Sequence, residues 1–216
     1  ITVNGISVGK GANSVASNIA IGNGALDGSV TGANNLAIGL NALTDLSSGP
    51  NNTAIGNYTL DSLTTGQANT GVGYNVLQAV TTQRFNTAVG RSALQYNTAE
   101  NNVAIGYNAL QTNTTGGQNT ALGTNSLKSN TTGHSNVAVG QAALDANTEG
   151  FNNVAVGEDA LGANTTADYN TAVGRLALST VTTQGNLTAL GASTLQSNTT
   201  GSKNTAVGSV SYTHLR

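Results

Sequence analysis

Asn136-Val137-Ala138-Val139-Gly140-Gln141-Ala142-Ala143-Leu144 is one copy of a phrase that runs through the chain from end to end. The glycine closing its first half recurs at 9, 22, 39, 56, 73, 90, 106, 123, 140, 157, 174, 191 and 208. The step between these positions is 17 in ten of the twelve intervals, 16 from Gly90 to Gly106 and 13 from Gly9 to Gly22. So regular a period marks a repeat architecture, in which each unit buries its apolar face only by stacking on its neighbours.

We number the repeat so that Asn136 is position 1 and the glycine is position 5. Position 4 is aliphatic in every copy, from Val8 and Ile21 to Leu190 and Val207, and position 9 is Leu from Leu26 through Leu195. Position 3 is always small: Ser7, Gly71 and otherwise Ala, as at Ala121, Ala138 and Ala155. Position 2 is Thr, Val, Leu or Ile. Positions 2 and 4 therefore alternate with position 3, which is the period of a strand. β-branched residues and the recurrent glycine oppose a helix. The expected fold is an all-β repeat solenoid, a narrow parallel β-roll of about 17 residues per coil. It covers residues 1–208, with 12–13 coils and a partial first coil. A second short strand is expected through Ala143 and Leu144, then a turn such as Asn130-Thr131-Thr132-Gly133. Coils stacked at roughly 4.8 Å would build a rod about 60 Å long. In this reading positions 4 and 9 fill a thin aliphatic core, and position 3 points away from it.

Three columns carry more detail. Position 5 admits only glycine, including Gly90, Gly106, Gly123, Gly140, Gly157 and Gly174, which predicts a positive φ or a close backbone approach. Position 15 is usually glycine but accepts Gln83, Ala167 and Gln184. Position 1 is Asn in eleven of thirteen copies, among them Asn119, Asn136 and Asn153, which predicts an amide ladder. Position 12 is Leu46, Leu63 and Val80 in three successive coils and then Asn97, Asn113, Asn130, Asn147 and Asn164 in five, a column in which like stacks on like. The small stripe at position 3 predicts a surface that another chain packs against. The alternative is a tightly bent single roll that leaves position 3 no room.

Composition narrows the function. The 216 residues include 28 Gly, one Pro and no Cys, Met or Trp; 7% are charged and the formal net charge is −2. Such polar composition would suit a disordered segment, but the strict aliphatic phase opposes that. Seven scattered Lys and Arg form no basic patch, which argues against nucleic acid. No run of about 18 apolar residues exists to span a membrane. Absence of Cys is no obstacle for a solenoid that needs no staples. The chain opens at Ile1 inside a repeat-like stretch without a signal peptide, as expected of a fragment of something longer.

Motifs for chemistry are sparse. His134 and His214 lie far apart, and neither has a second ligand at metal spacing; His134 reads as a solvated turn residue. Asp27, Asp61 and Asp145 share position 10 without the Asp-Gly pattern of calcium-binding repeats. There is no nucleophile–base pair, so no enzyme, cofactor or metal is expected. Variation is the better guide. Aromatic and basic residues avoid the repeat's core positions and sit at outward or turn positions, making Tyr58, Tyr74, Phe85, Tyr107, Arg91, Tyr169 and Arg175 the candidate surface contacts.

The phrase N-x-[AG]-[VIL]-G, as in Asn18-Ile19-Ala20-Ile21-Gly22 and Asn102-Val103-Ala104-Ile105-Gly106, resembles the head repeat of YadA-like trimeric autotransporter adhesins, and does so up to Gly208. The resemblance implies a left-handed parallel β-roll, a homotrimer with position 3 near the threefold axis, and extracellular display on a bacterial cell surface. Its implied role is cell adhesion, with a host surface, an extracellular-matrix polymer or a glycan as partner. Repeats in that family are usually shorter than these, and similar arrays also resemble phage-type tail-fibre proteins. A virion fibre shaft is therefore the alternative, and an ice-binding solenoid built on pairs such as Thr131-Thr132 is a third reading. Residues 209–216 leave the repeat, with Tyr212 where Leu is due; this tail is expected to be loosely attached and without function.

Overall fold

The computed structural model describes residues 2, 3 and 6–209. Twelve three-residue strands, β3 (Ile19–Ile21) through β14 (Thr205–Val207), lie one per coil in a single parallel ladder. They define a β-solenoid of eleven turns between twelve strands. Register follows the repeat: Val137, Ala138 and Val139 pair with Val154, Ala155 and Val156 one coil on. The first copy behaves differently. Strand β1 (Thr2–Val3) pairs antiparallel with β2 (Ile6–Gly9), which pairs antiparallel with β3, Val8 opposite Ile21. The interval from Gly9 to Gly22 is too short for a full coil, and there the chain reverses instead of winding. Among the described residues the one helical element is a single 3-10 turn, Ala12–Ser14. The tail from residue 210 on lies outside the described residues.

The two faces of the strand are the reverse of the expected ones. Position 3 is inside: Ala121, Ala138 and Ala155 are 0% exposed. Positions 2 and 4 face outward, with Leu122 44% exposed and Val103 and Ile105 also open. The core is built from Ala at position 3, Ala, Ser, Thr or Val at position 8, Leu at position 9 and the position 12 column. The coil is so narrow that only a methyl group fits between the strand and the opposite turn. At Gly71 an added Cβ would already meet the Thr59 methyl at 2.6 Å.

The second strand is also absent. Residues 140–146 form a continuous turn, yet Ala143 and Leu144 are both buried. Adjacent residues on a strand point to opposite faces, so a strand could not bury both. The backbone manages it by passing through the left-handed region twice, at position 7 (Ala142, φ 54) and position 9 (Leu144, φ 53). The position 9 leucines, Leu26 through Leu195, all have φ between 49 and 53. Bulky residues rarely adopt that region, at a cost of roughly 1–2 kcal/mol each. Burial of the whole side chain offsets it, and the inter-coil bond from Leu144 N–H to Ala160 C=O at 3.0 Å fixes it. A third left-handed site falls at position 17, just before the next strand, as at Asn152 (φ 54).

The invariant glycine satisfies both of its predicted reasons. Gly140 has φ +137, and a Cβ there would meet the carbonyl oxygen of Gly157 at 2.5 Å. The position 1 asparagines form a ladder that also binds backbone. The Asn136 amide donates to the Gly150 carbonyl at 2.8 Å, while its Oδ1 accepts from the Asn153 backbone N–H at 3.0 Å. In the shortened coil between Gly90 and Gly106, Asn86 and Asn97 both donate to the Ala99 carbonyl, at 2.9 and 2.7 Å. Ala99 thus takes the place that Gly133 or Gly150 holds elsewhere, and the missing residue is position 14. A surface turn absorbs the deletion and leaves every column in step.

Candidate functional site

Two surface features stand out on this scaffold. The first is the outward face of the strand. Position 4 presents an aliphatic side chain in every coil from Ile21 to Val207, half-exposed or exposed throughout, with Thr, Val, Leu or Ile beside it at position 2. A free-standing soluble roll calls for polar residues there, since an outward strand position normally alternates to polar.

The second feature is a corner of aromatic and basic side chains at positions 6 and 7, one step past the glycine. Tyr74, Arg91 and Tyr107 occupy position 6 in three successive coils. The Arg91 guanidinium lies 5.9 Å from the ring centroid of each tyrosine. Tyr58, at position 7 of the preceding coil, meets Tyr74 edge-on with centroids 6.0 Å apart. Inter-coil bonds hold the backbone beneath: Ser92 N–H to Tyr74 C=O at 2.9 Å, Asn108 N–H to Arg91 C=O at 3.0 Å and Asn125 N–H to Tyr107 C=O at 2.9 Å. Tyr74 and Tyr107 keep 44% and 46% exposure. Of the predicted contacts, four (Tyr58, Tyr74, Arg91 and Tyr107) therefore form one cluster.

The other three lie elsewhere. Arg175 shares the position 6 column, five coils beyond Arg91, and its Nε pairs with Glu158 at 3.2 Å. Phe85 and Tyr169 sit at position 17, on the corner that precedes the strand. Arg84 lies 5.9 Å from the Phe85 ring and pairs with Glu100 at 3.1 Å. Tyr169 meets Phe151 edge-on at 5.3 Å, and Phe151 in turn stacks on His134 at 4.9 Å with 7° between the rings. His134 is exposed but is not a lone side chain; the one-repeat spacing from His134 to Phe151 was the available signal. The aromatic residues at positions 7 and 17 carry the left-handed backbone: Tyr58 has φ 55, Phe85 φ 61 and Tyr169 φ 59.

The position 10 column holds the titratable groups of interest. Gln111 donates to Gln95 at 3.1 Å, Gln95 to Gln78 at 3.1 Å, and Gln78 to Asp61 at 3.4 Å. Asp61 ends this amide ladder as its acceptor, and Asp61 Oδ1 is buried without a partner among the described residues. Burial pushes the Asp61 carboxyl above its ordinary range, outweighing the Gln78 hydrogen bond. Asp145 is raised as well, first by burial and then by the charge of Asp159. Among the described residues no group of three or more His, Cys, Asp and Glu could hold a metal ion, and no helix is long and apolar enough to cross a membrane. The Thr131 hydroxyl, part of the pair considered for ice, donates to the Thr148 carbonyl at 2.9 Å; Thr114, Thr148 and Thr165 repeat the bond one coil apart. Compared with known proteins, the chain matches no family model, no curated protein and no solved structure.

Proposed function

We propose that this chain is an adhesin head or fibre segment displayed on a bacterial surface, in which three copies of a left-handed roll associate to form a rigid rod. The observation that carries the reading is the outward aliphatic stripe at position 4, from Ile21 to Val207. A continuous apolar stripe of that length on a soluble chain marks a surface that another chain covers. A closed, symmetric homo-oligomer is the common way to cover it with copies of one chain. The interface then lies at positions 2 and 4. Ala121, Ala138 and Ala155 belong to each roll's own core, so enlarging them tests folding, and the outward residues test assembly. A rod of this kind presents its corner residues at fixed spacing, which suits attachment through many weak contacts.

Sedimentation of the intact chain tests assembly. The parent is expected at the mass of three chains, and Leu122→Lys with Val139→Lys at the mass of one, with the β-rich circular dichroism spectrum kept. A parent that sediments as a single chain refutes the trimer. Adhesion is tested separately with beads coated in the chain, on surfaces bearing matrix protein or glycan. Beads that adhere no better than albumin-coated controls refute the adhesin reading.

A further inference from the structure

The Tyr58, Tyr74, Arg91 and Tyr107 cluster goes further than a generic contact surface. We infer that it is a binding strip for an acidic polysaccharide, a uronate-type polymer lying along the roll axis with a carboxylate at Arg91 and sugar rings against Tyr74 and Tyr107. This rests on the adhesin reading and names the class of its ligand.

Three observations point there. The first is the state of Arg91. Arg84 and Arg175 each pair with a neighbouring carboxylate, Glu100 and Glu158. Among the described residues no carboxylate lies within ion-pair distance of Arg91, whose guanidinium is flanked by two tyrosine rings. A guanidinium held this way keeps its fork of donors for a planar anion from outside.

The second is geometry. Tyr74 and Tyr107 stand two coils apart, roughly 9.6 Å at the spacing of parallel strands. That is close to the disaccharide repeat of a β-1,4-linked chain. Half-exposed tyrosine rings offer apolar surface to the C–H faces of sugars and a hydroxyl to their polar edges. The strip runs along the roll from the coil of Tyr58 to that of Tyr107, with Tyr74, Arg91 and Tyr107 all exposed, which suits a linear polymer.

The third is the placement of Tyr58. Position 7 takes the left-handed conformation; six other coils meet it with Asn or Ser (Asn41, Asn75, Ser92, Asn108, Asn125 and Ser193), and Ala142, Asp159 and Leu176 adopt it as well. Asn tolerates that region far better than an aromatic residue. Tyr58 is the one aromatic residue of the position 7 column, and its edge-on contact with Tyr74 extends the strip by one coil.

The test is binding of the intact chain to polymannuronate oligomers, with uncharged cello-oligosaccharides and hexaglutamate as comparison ligands. Polymannuronate is expected to bind, more weakly as salt rises, and in preference to both comparison ligands. Arg91→Gln should weaken it by roughly tenfold or more, the effect of losing a hydrogen bond to a charged group. Tyr107→Ala should also weaken it, while Arg175→Gln and Tyr169→Ala should leave it unchanged. Absence of polymannuronate binding, equal losses in the Arg175 and Tyr169 variants, or hexaglutamate binding as tightly would each overturn the assignment. Coated beads separate the two levels. Adhesion that survives Arg91→Gln and excess polymannuronate overturns the strip and leaves the adhesin reading standing. Polymannuronate binding by a chain whose beads do not adhere supports the strip and removes the adhesin reading.

Discussion

Position 12 is filled in two ways along the same roll. In the earlier coils Leu46, Leu63 and Val80 stack as a dry column, all fully buried. In the later ones Asn97, Asn113, Asn130, Asn147 and Asn164 are equally buried, and from Asn113 on each amide donates to the Oδ1 of the one before it at 2.6–2.8 Å. Each also donates to the carbonyl of its own turn, as Asn130 does to Gly133 at 2.8 Å. The strand register and the position 1 ladder continue unchanged through both blocks. The backbone therefore does not dictate the chemistry of the column. Stability instead favours a residue that matches its neighbours in the stack, because a buried amide needs partners and a buried methyl needs none. The cost concentrates at the junctions. Asn164 ends the amide run beneath Val181, and its Oδ1 is left without a partner among the described residues. Just past Val181, Leu187 replaces the position 1 asparagine, so both inner columns turn aliphatic for one coil before Asn198 and Asn204 restore the amides.

Breaking either column should test this. Leu63→Asn places a lone amide in the dry block and removes a fully buried leucine. It should cost about 3–5 kcal/mol, since the cavity and an unpaired polar group add. Urea denaturation would measure it, and a change below about 1 kcal/mol would mean that the dry column tolerates amides.

Asn130→Leu makes the converse change. It strands the Asn113 acceptor and one Asn147 proton but gains apolar burial, so a smaller loss of about 2–3 kcal/mol is expected. In a Leu63→Asn, Leu46→Asn double variant the pair should recover part of its single-site losses through a mutual hydrogen bond. Strict additivity there would contradict the matching rule.

Val181→Asn fills the one-coil gap between Asn164 and Asn198 and supplies the donor that Asn164 lacks. A gain of about 1 kcal/mol is expected. A loss would show that the junction is set by Leu187 instead, and the double variant with Leu187→Asn would then be the informative one.

The smallest effect is at the end of the glutamine ladder. The Asp61 pKa is raised above its ordinary 3.8 by burial. The fold thus favours the protonated form, and the ionised carboxylate costs stability that grows as pH rises from the unfolded value through the folded one. Asp61→Asn removes that cost and keeps an acceptor for Gln78. Its melting temperature should exceed the parent's modestly at about pH 7, and the two should converge below about pH 3. A gap that widens on acidification would reverse the assignment.

How the candidate strip and the fold were legible differs by level. The candidate contacts were visible as outward residues, but only the stacking of coils showed that Tyr58, Tyr74, Arg91 and Tyr107 converge while Arg175 does not. One repeat step between position 6 side chains places them on one column. Which of them touch depends on rotamers that no repeat encodes.

The period, the all-β solenoid, the glycine column, the asparagine ladder and the like-on-like rule at position 12 were determined by the sequence alone. Each follows from counting residues and asking what a stacked coil needs. Tertiary structure decided which face of the strand is inside. Period two separates positions 2 and 4 from position 3 without saying which set is buried. Hydrophobicity favoured Val139, whereas the narrowness of the coil admits only Ala138. The same narrowness bends the chain through Ala142 and Leu144 in the left-handed region, where side-chain preference alone would place Asn or Gly. The Asn and Ser of position 7 hinted at this; the leucines of position 9 gave no hint, because their backbone conformation is fixed by burial and inter-coil hydrogen bonds.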